Sequence, residues 1–348
     1  MNPRQRVEVA LHGEIADRVP FTVYECMLPQ CAVERDLRNR GLCIVERRVP
    51  VVHAWRPNVS GETRSYSVDG VGYVRSDLHT PVGDLSTVSR PAGFTSWTVE
   101  RLFKRPDDYR ALAFYAGDLR FAPCYDEFLR AEADLGEDII LRGGIALSPL
   151  HEIMTGWMGH EAFAVEWSER RDEVLKLHDI MVGRLRELYP LLADSPCGHF
   201  NYGGNEVPEV MGRHRLAAYV LPRWEEAAEA LHAKGKLLGV HLDGNSHGWA
   251  DLIAASPLDY IEAFTPPPDC DMSVAAARRL WPGKVLWINF PSSVHLRPAA
   301  DIEAAAHAIL EEAAPGDGFL LGITEDVPRH RWQDSFQALM RATEASAR

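Results

Sequence analysis

The amino-acid sequence predicts a single α/β domain: a closed (β/α)8 barrel of the TIM type with a β-hairpin elaboration in its N-terminal part. Three observations support this. From residue 138 to the C-terminus, short apolar runs alternate with amphipathic helical stretches, the pattern of parallel strands joined by helical crossovers. The 348 residues are a length that barrels use as one domain, and no linker, repeat or low-complexity tract divides them. Finally, the doubly wound sheet, built from the same alternation, usually carries G-x-G-x-x-G at a strand-to-helix turn. The pair Gly203-Gly204 falls short of that motif.

Near the N-terminus Val7, Ala10 and Leu11 recur at helical spacing, and Gly13 ends the helix. Residues 18–25 read as a short buried strand with Glu25 at its C-terminal end. From about 45 to 95 the texture changes to alternation punctuated by Asp-Gly and Val-Gly, which predicts β-hairpins. Residues 99–133 read as helical, broken near Pro106 and Pro123. Strands are then expected at 139–141, 198–202, 237–241, 260–264, 285–289 and 319–323. Among the helices between them, one buries Trp224, Ala228 and Leu231, and another Ile302, Ala306 and Ile309. The last buries Trp332, Phe336, Leu339 and Met340. With the strand at Phe21 and one not placed, the count is eight.

Fifty acidic residues against 37 basic give a formal charge of −13. Such a surface repels phosphate backbones and anionic lipid, so no nucleic-acid or membrane partner is expected. The six cysteines are scattered without a C-x-x-C pair, the N-terminal stretch lacks an apolar signal region, and no apolar run reaches 18 residues. A reducing, cytoplasmic setting is the expectation.

Catalytic groups of a parallel barrel gather where its strands end. Polar residues at those ends are Glu25, Asn205, Glu206, His241, Asp243, Glu262, Asn289, Glu325 and Asp326. His241-Leu242-Asp243 is the most informative of these stretches, because residues two apart on a strand point to the same side. An imidazole and a carboxylate so placed hold a metal or share a proton, and Glu325, just past the last strand, could close a triangle. This donor set suits zinc, iron or manganese better than a soft ion. The plainer reading is a hydrogen bond that only holds a loop. Glu25 is a candidate general acid or ligand, with a salt-bridged strand end as its alternative. Glu262, if it faces the barrel centre, requires a partner, most simply an arginine. Asn205 and His247 are candidate cofactor contacts, a loop hydrogen bond being the alternative for His247. Arg35, Arg38 and Arg40 are either a solvated helix face or a clamp for a substrate carboxylate, with Arg35 or Arg38 the ones a lyase would draw on.

Several stretches together resemble the uroporphyrinogen-decarboxylase-like superfamily. They are residues 4–14 followed by Asp17-Arg-Val-Pro20, Val220-Leu-Pro222 leading to Leu231-His-Ala-Lys-Gly235, His241-Leu-Asp-Gly244, Ile261-Glu-Ala-Phe-Thr-Pro266 and 319–325. The resemblance spans nearly the whole chain. It implies a barrel that is frequently dimeric and one of two chemistries: porphyrinogen decarboxylation, or methyl transfer to or from a corrinoid protein. The decarboxylases of the superfamily carry Arg-Gln-Ala-Gly-Arg near the N-terminus, whereas residues 24–35 here lack it and place Glu25 where a polyanion would bind. The thiol-methylating branch carries zinc on His-x-Cys and a later cysteine. Here Asp243 and Glu325 stand where those thiolates would be, so hard ligands replace soft ones at both positions. The resemblance therefore implies a corrinoid-dependent methyltransferase or O-demethylase. His241, Asp243 and Glu325, with Glu25, would form its metal or acid–base site, zinc being the first candidate. A small methylated molecule would be the substrate. No Asp-x-His-x-x-Gly signature occurs, so the corrinoid would arrive on a partner protein. The alternatives are a carboxy-lyase using the same cluster and, more remotely, a non-catalytic binding barrel.

Overall fold

The computed structural model describes residues 1–93 and 95–347; Phe94, inside the expected hairpin stretch, and Arg348 lie outside them. Parallel strands form a (β/α)8 barrel. They are Phe21–Tyr24, Leu42–Glu46, Ile139–Leu141 continued by Gly143–Ile145, His199–Tyr202, Leu237–His241, Tyr260–Phe264, Val285–Asn289 and Phe319–Ile323. Neighbours in sequence pair in parallel, and the last strand pairs with the first, Leu321 opposite Phe21. The third strand closes the ring. Its first half bonds the second strand, its second half bonds the fourth, and the Arg142 amide between them donates to Glu46 O at 3.0 Å.

Leu42–Glu46 is the strand that sequence pattern did not place. Its last two residues were expected to open the hairpin region, but they are fully part of the barrel. The hairpins run further than expected as well. Ser60–Val68, Val71–Thr80, Gly83–Ala92 and Thr95–Glu100 form one antiparallel meander, so residues 99–100 are strand where a helix was expected. Its first turn is Asp69-Gly70, both at positive φ (50° and 78°), the backbone that a two-residue hairpin requires.

Contacts divide the chain into two compact units. Residues 52–123 and 147–194 make the second, which holds the meander, the paired strands Val52–Trp55 and Arg120–Pro123, and helices that include Tyr109–Gly117 and the long Arg171–Asp194. Tyr109 Oη donates to Glu166 at 2.8 Å within it. The first unit, residues 1–51, 124–146 and 195–348, holds the barrel. No helix of the described residues is long and apolar enough to cross a membrane.

The barrel interior is layered. Helix Pro3–Leu11, started by an Asn2/Gln5 capping box, sets Val7, Ala10 and Leu11 against Cys43, Ile140, Val285 and Leu320 in one apolar cluster. His199, Tyr260 and Trp287 follow, with ring centroids 6.1–6.4 Å apart. Trp287 Nε1 donates to Thr22 Oγ1 at 2.8 Å, and Tyr260 Oη to Phe200 O at 2.7 Å. Gly239 is obligatory beside them, since a Cβ there would lie 2.1 Å from the Tyr260 ring. Burial and the nearby Arg142 hold His199 down to about 3, so its imidazole is neutral. Outside the barrel, the helices Leu221–His232, Ala299–Glu312 and Trp332–Ala345 bury the apolar residues expected from their periodicity.

Trp287→Ala empties the centre of this ring layer and is expected to cost about 3–5 kcal/mol in urea unfolding. Thr22→Val, which strands the indole N–H and removes the long donation from Thr22 Oγ1 to Leu321 O (3.4 Å), is expected to cost about 1–3 kcal/mol.

Candidate functional site

Above the ring layer the interior becomes polar. Register alone brings His241 beside Glu262, because the two are direct partners in the pairing of the fifth and sixth strands. Glu262 is fully buried and saturated by donors. Its Oε1 accepts from Tyr24 Oη at 2.5 Å and from Arg142 Nη1; its Oε2 accepts from Asn201 Nδ2 at 2.6 Å and from His241 Nδ1 at 3.0 Å. Four donors from the first, third, fourth and fifth strands thus converge on one carboxylate of the sixth. Burial works against its charge, but Arg142 and then His241 and Tyr24 prevail, holding Glu262 down to about 2. The reciprocal effects raise Arg142, against its own burial, and lift Tyr24 to about 12, mainly through burial and the Glu262 charge.

An ionised carboxylate only accepts, so Nδ1 of His241 must carry the proton it shares with Glu262. The opposite nitrogen, Nε2, is thereby aimed at Asp243 and Glu325, 3.8 Å from Asp243 Oδ2 and 3.7 Å from Glu325 Oε1. One donor atom from each of the three lies within 4.8 Å of the others. Burial pushes His241 downward, but Tyr24 and the bonds to Asp243, Glu262 and Glu325 together raise it well above the ordinary imidazole value.

The backbone is specialised around this triangle. Ala263 has φ +60° in mid-strand, and a bulge there shifts the register between Glu262 and Phe264. Gly203, Gly204 and Asn205 all have positive φ, and a Cβ on Gly204 would come 3.0 Å from His241 Cβ. The Asn205 amide donates to His241 O at 3.0 Å.

Of the residues singled out from sequence, His241, Asp243 and Glu325 come together. Asn205 is exposed and meets His241 through its backbone. Glu25 stands apart, its two oxygens bridged by Arg47 at 3.0 and 3.1 Å, while the Arg47 guanidinium lies 3.5 Å over the Tyr24 ring. Its salt-bridged alternative is the one the geometry adopts. His247 is held on its loop by Asp271, with Nδ1 3.5 Å from Oδ2. Cys270 donates to Asp243 O at 3.2 Å and is not among the ligand atoms of the triangle. Tyr24, Arg142 and Asn201 escaped sequence reading. Arg142 offered the clearest signal, a lone cation between Ile139-Ile140-Leu141 and Gly143-Gly144-Ile145, and it is the arginine that a buried Glu262 called for.

No family model matches the chain, and no curated protein matches it. Among solved structures, a methyltransferase from Methanosarcina mazei is similar at a TM-score of 0.60 with 13% identity, covering 99% of each chain. An endo-β-1,4-mannanase from Thermotoga petrophila is similar at 0.45 with 10% identity, over 97% of this chain and 78% of that one. The first likeness shows the fold.

Arg142→Met leaves a buried carboxylate without its cation and is expected to cost about 3–5 kcal/mol, most of it recovered in Arg142→Met/Glu262→Met. Because folding depresses Glu262 from 4.5 to about 2, its contribution is present above pH 4.5 and is lost as pH falls toward 2. Stability measured against pH should show a shallower acid limb in Glu262→Gln than in the natural protein, the remainder coming from other depressed carboxylates such as Asp17.

Proposed function

We propose that this chain is a methyltransferase of the uroporphyrinogen-decarboxylase-like superfamily, moving a methyl group between a small methylated molecule and a corrinoid carried by a partner protein. Three supports of different weight converge on this reading: the ordered sequence blocks, the barrel likeness to a methyltransferase, and the donor set at the strand ends. The observation that carries it is the aim of His241 Nε2 toward Asp243 and Glu325 while Nδ1 is tied to Glu262.

That arrangement fits a divalent cation. One imidazole nitrogen and two carboxylates suit a borderline or hard ion, and a carboxylate on the far nitrogen is the usual support of a metal-bound histidine. His241, Asp243 and Glu325 would hold the ion, with zinc the first candidate. When bound, it supplies Lewis-acid polarisation of the heteroatom that bears the methyl group. The chain's own residues do the rest. Glu262 fixes the tautomer and ring angle of His241, Arg142 and Tyr24 keep Glu262 charged, and the bare Gly203-Gly204 turn lets the loop lie against His241. Asp243 and Glu325, the less buried members, face incoming substrate and can exchange a proton with it. We assign the protein to the cytoplasm on its scattered, unpaired cysteines, and its assembly to a homodimer on the family resemblance.

The carboxy-lyase reading is weakened because Arg38, one of the two arginines it would draw on, is already paired with Asp138 at 2.5 Å and Glu34 at 2.9 Å.

Elemental analysis and demethylation assays with a corrinoid protein test the proposal. His241→Ala, Asp243→Ala and Glu325→Ala are each expected to lose metal affinity by more than about tenfold. Each should also abolish methyl transfer while leaving the urea midpoint nearly unchanged for the two acidic variants. Full turnover in Asp243→Ala or Glu325→Ala, or turnover without any corrinoid protein, would refute it.

A further inference from the structure

Asn289 ends the seventh strand and is 1% exposed, yet it belongs neither to the Glu262 network nor to the triangle. A buried amide needs partners, and those of Asn289 come from the ends of both neighbouring strands. Its Oδ1 accepts from the backbone N–H of Thr324 at 3.0 Å, and its Nδ2 donates to Thr265 Oγ1 at a long 3.5 Å. Thr265 Oγ1 in turn donates to Ala263 O at 3.0 Å. An N–H can only donate and a carbonyl only accept, so the two ends of this chain fix which way the Asn289 amide faces. Thr265 and Thr324 are buried as well.

The chain joins the two places from which His241 is approached. At one end, Ala263 is the residue of positive φ directly after Glu262, at the bulge of the sixth strand. At the other, Thr324 directly precedes Glu325. Between the seventh and eighth strands, Phe290 N still donates to Gly322 O at 2.8 Å. Two residues beyond Gly322, the Thr324 N–H turns to the Asn289 side chain instead of to a carbonyl of that strand. Glu325 follows with its side chain 43% exposed, so packing alone leaves it several rotamers. Holding the backbone at Thr324 narrows them toward those that bring Oε1 to 3.7 Å from His241 Nε2.

We propose that Asn289 is a positioning residue of the cation site, acting through Glu325 and not on the ion itself. Its amide is a spacer of fixed length between the strand end that carries Glu262 and the one that leads to Glu325. This role presupposes the proposed cation on His241, Asp243 and Glu325. Asp243, which follows the fifth strand, is reached without passing through Asn289.

Zinc affinity of the full chain, measured by competition with a chelating dye, and metal-free crystal structures test the proposal together. Asn289→Leu keeps the branched shape of asparagine without its hydrogen bonds, and it should lower zinc affinity about tenfold. In a Glu325→Ala background the same change should have no further effect, whereas in an Asp243→Ala background it should again cost about tenfold. A general loosening of the barrel would weaken binding in both backgrounds alike. Unchanged affinity in Asn289→Leu, or an equal loss in the two backgrounds, overturns the proposal. The crystal structure of Asn289→Leu should show the Glu325 carboxylate withdrawn from His241 Nε2, and an unmoved carboxylate also overturns it. If the natural protein binds no zinc at the triangle, the proposed function fails, and that crystal structure alone decides whether Asn289 places Glu325. Should Asn289→Leu fail to fold, Asn289→Ala takes its place with the same outcomes.

Discussion

A carboxylate sealed inside a barrel must be neutralised and fully hydrogen-bonded, or it does not remain charged. Glu262 meets that demand with Arg142, Tyr24, Asn201 and His241, four side chains on four other strands. Each donor is locked by the same bond that satisfies the acceptor, so one buried charge organises the upper interior. The aromatic layer beneath, Tyr260 and Trp287 with a neutral His199, excludes water on one side and lets these interactions act in a low dielectric.

The functional consequence is directional. An imidazole has two nitrogens, and Glu262 claims one of them, which leaves Nε2 facing the two less buried carboxylates. Local strain serves this placement. Ala263 occupies the left-handed region next to Glu262, and the Gly203–Asn205 turn runs against His241 with three successive positive φ values. Strained backbone of this kind persists only where surrounding structure enforces it, and here it borders the proposed chemistry on two sides.

Much of this was legible in the residues themselves. The barrel and seven of its eight strands followed from short apolar runs, and the triangle of His241, Asp243 and Glu325 followed from strand-end position and the two-residue repeat. What escaped had physical causes. Leu42–Glu46 lies so close behind a helix that its end reads as the start of the hairpins. The third strand is split at Arg142, whose charge and following glycines hide its second half. Tyr24 and Asn201 look like ordinary strand residues, because their importance comes from neighbours far away in sequence. Glu25 shares its strand-end position with the residues of the triangle, yet it pairs with Arg47 and is not among them, a pairing that no local pattern announces.

The central claim is that His241 presents Nε2, not Nδ1, to a cation shared with Asp243 and Glu325. Anomalous diffraction from crystals equilibrated with zinc tests it most directly. The account predicts a single strong peak bonded to His241 Nε2 and to one oxygen of each carboxylate, with Nδ1 still on Glu262. A peak on Nδ1, or zinc bound only elsewhere on the protein, would contradict it.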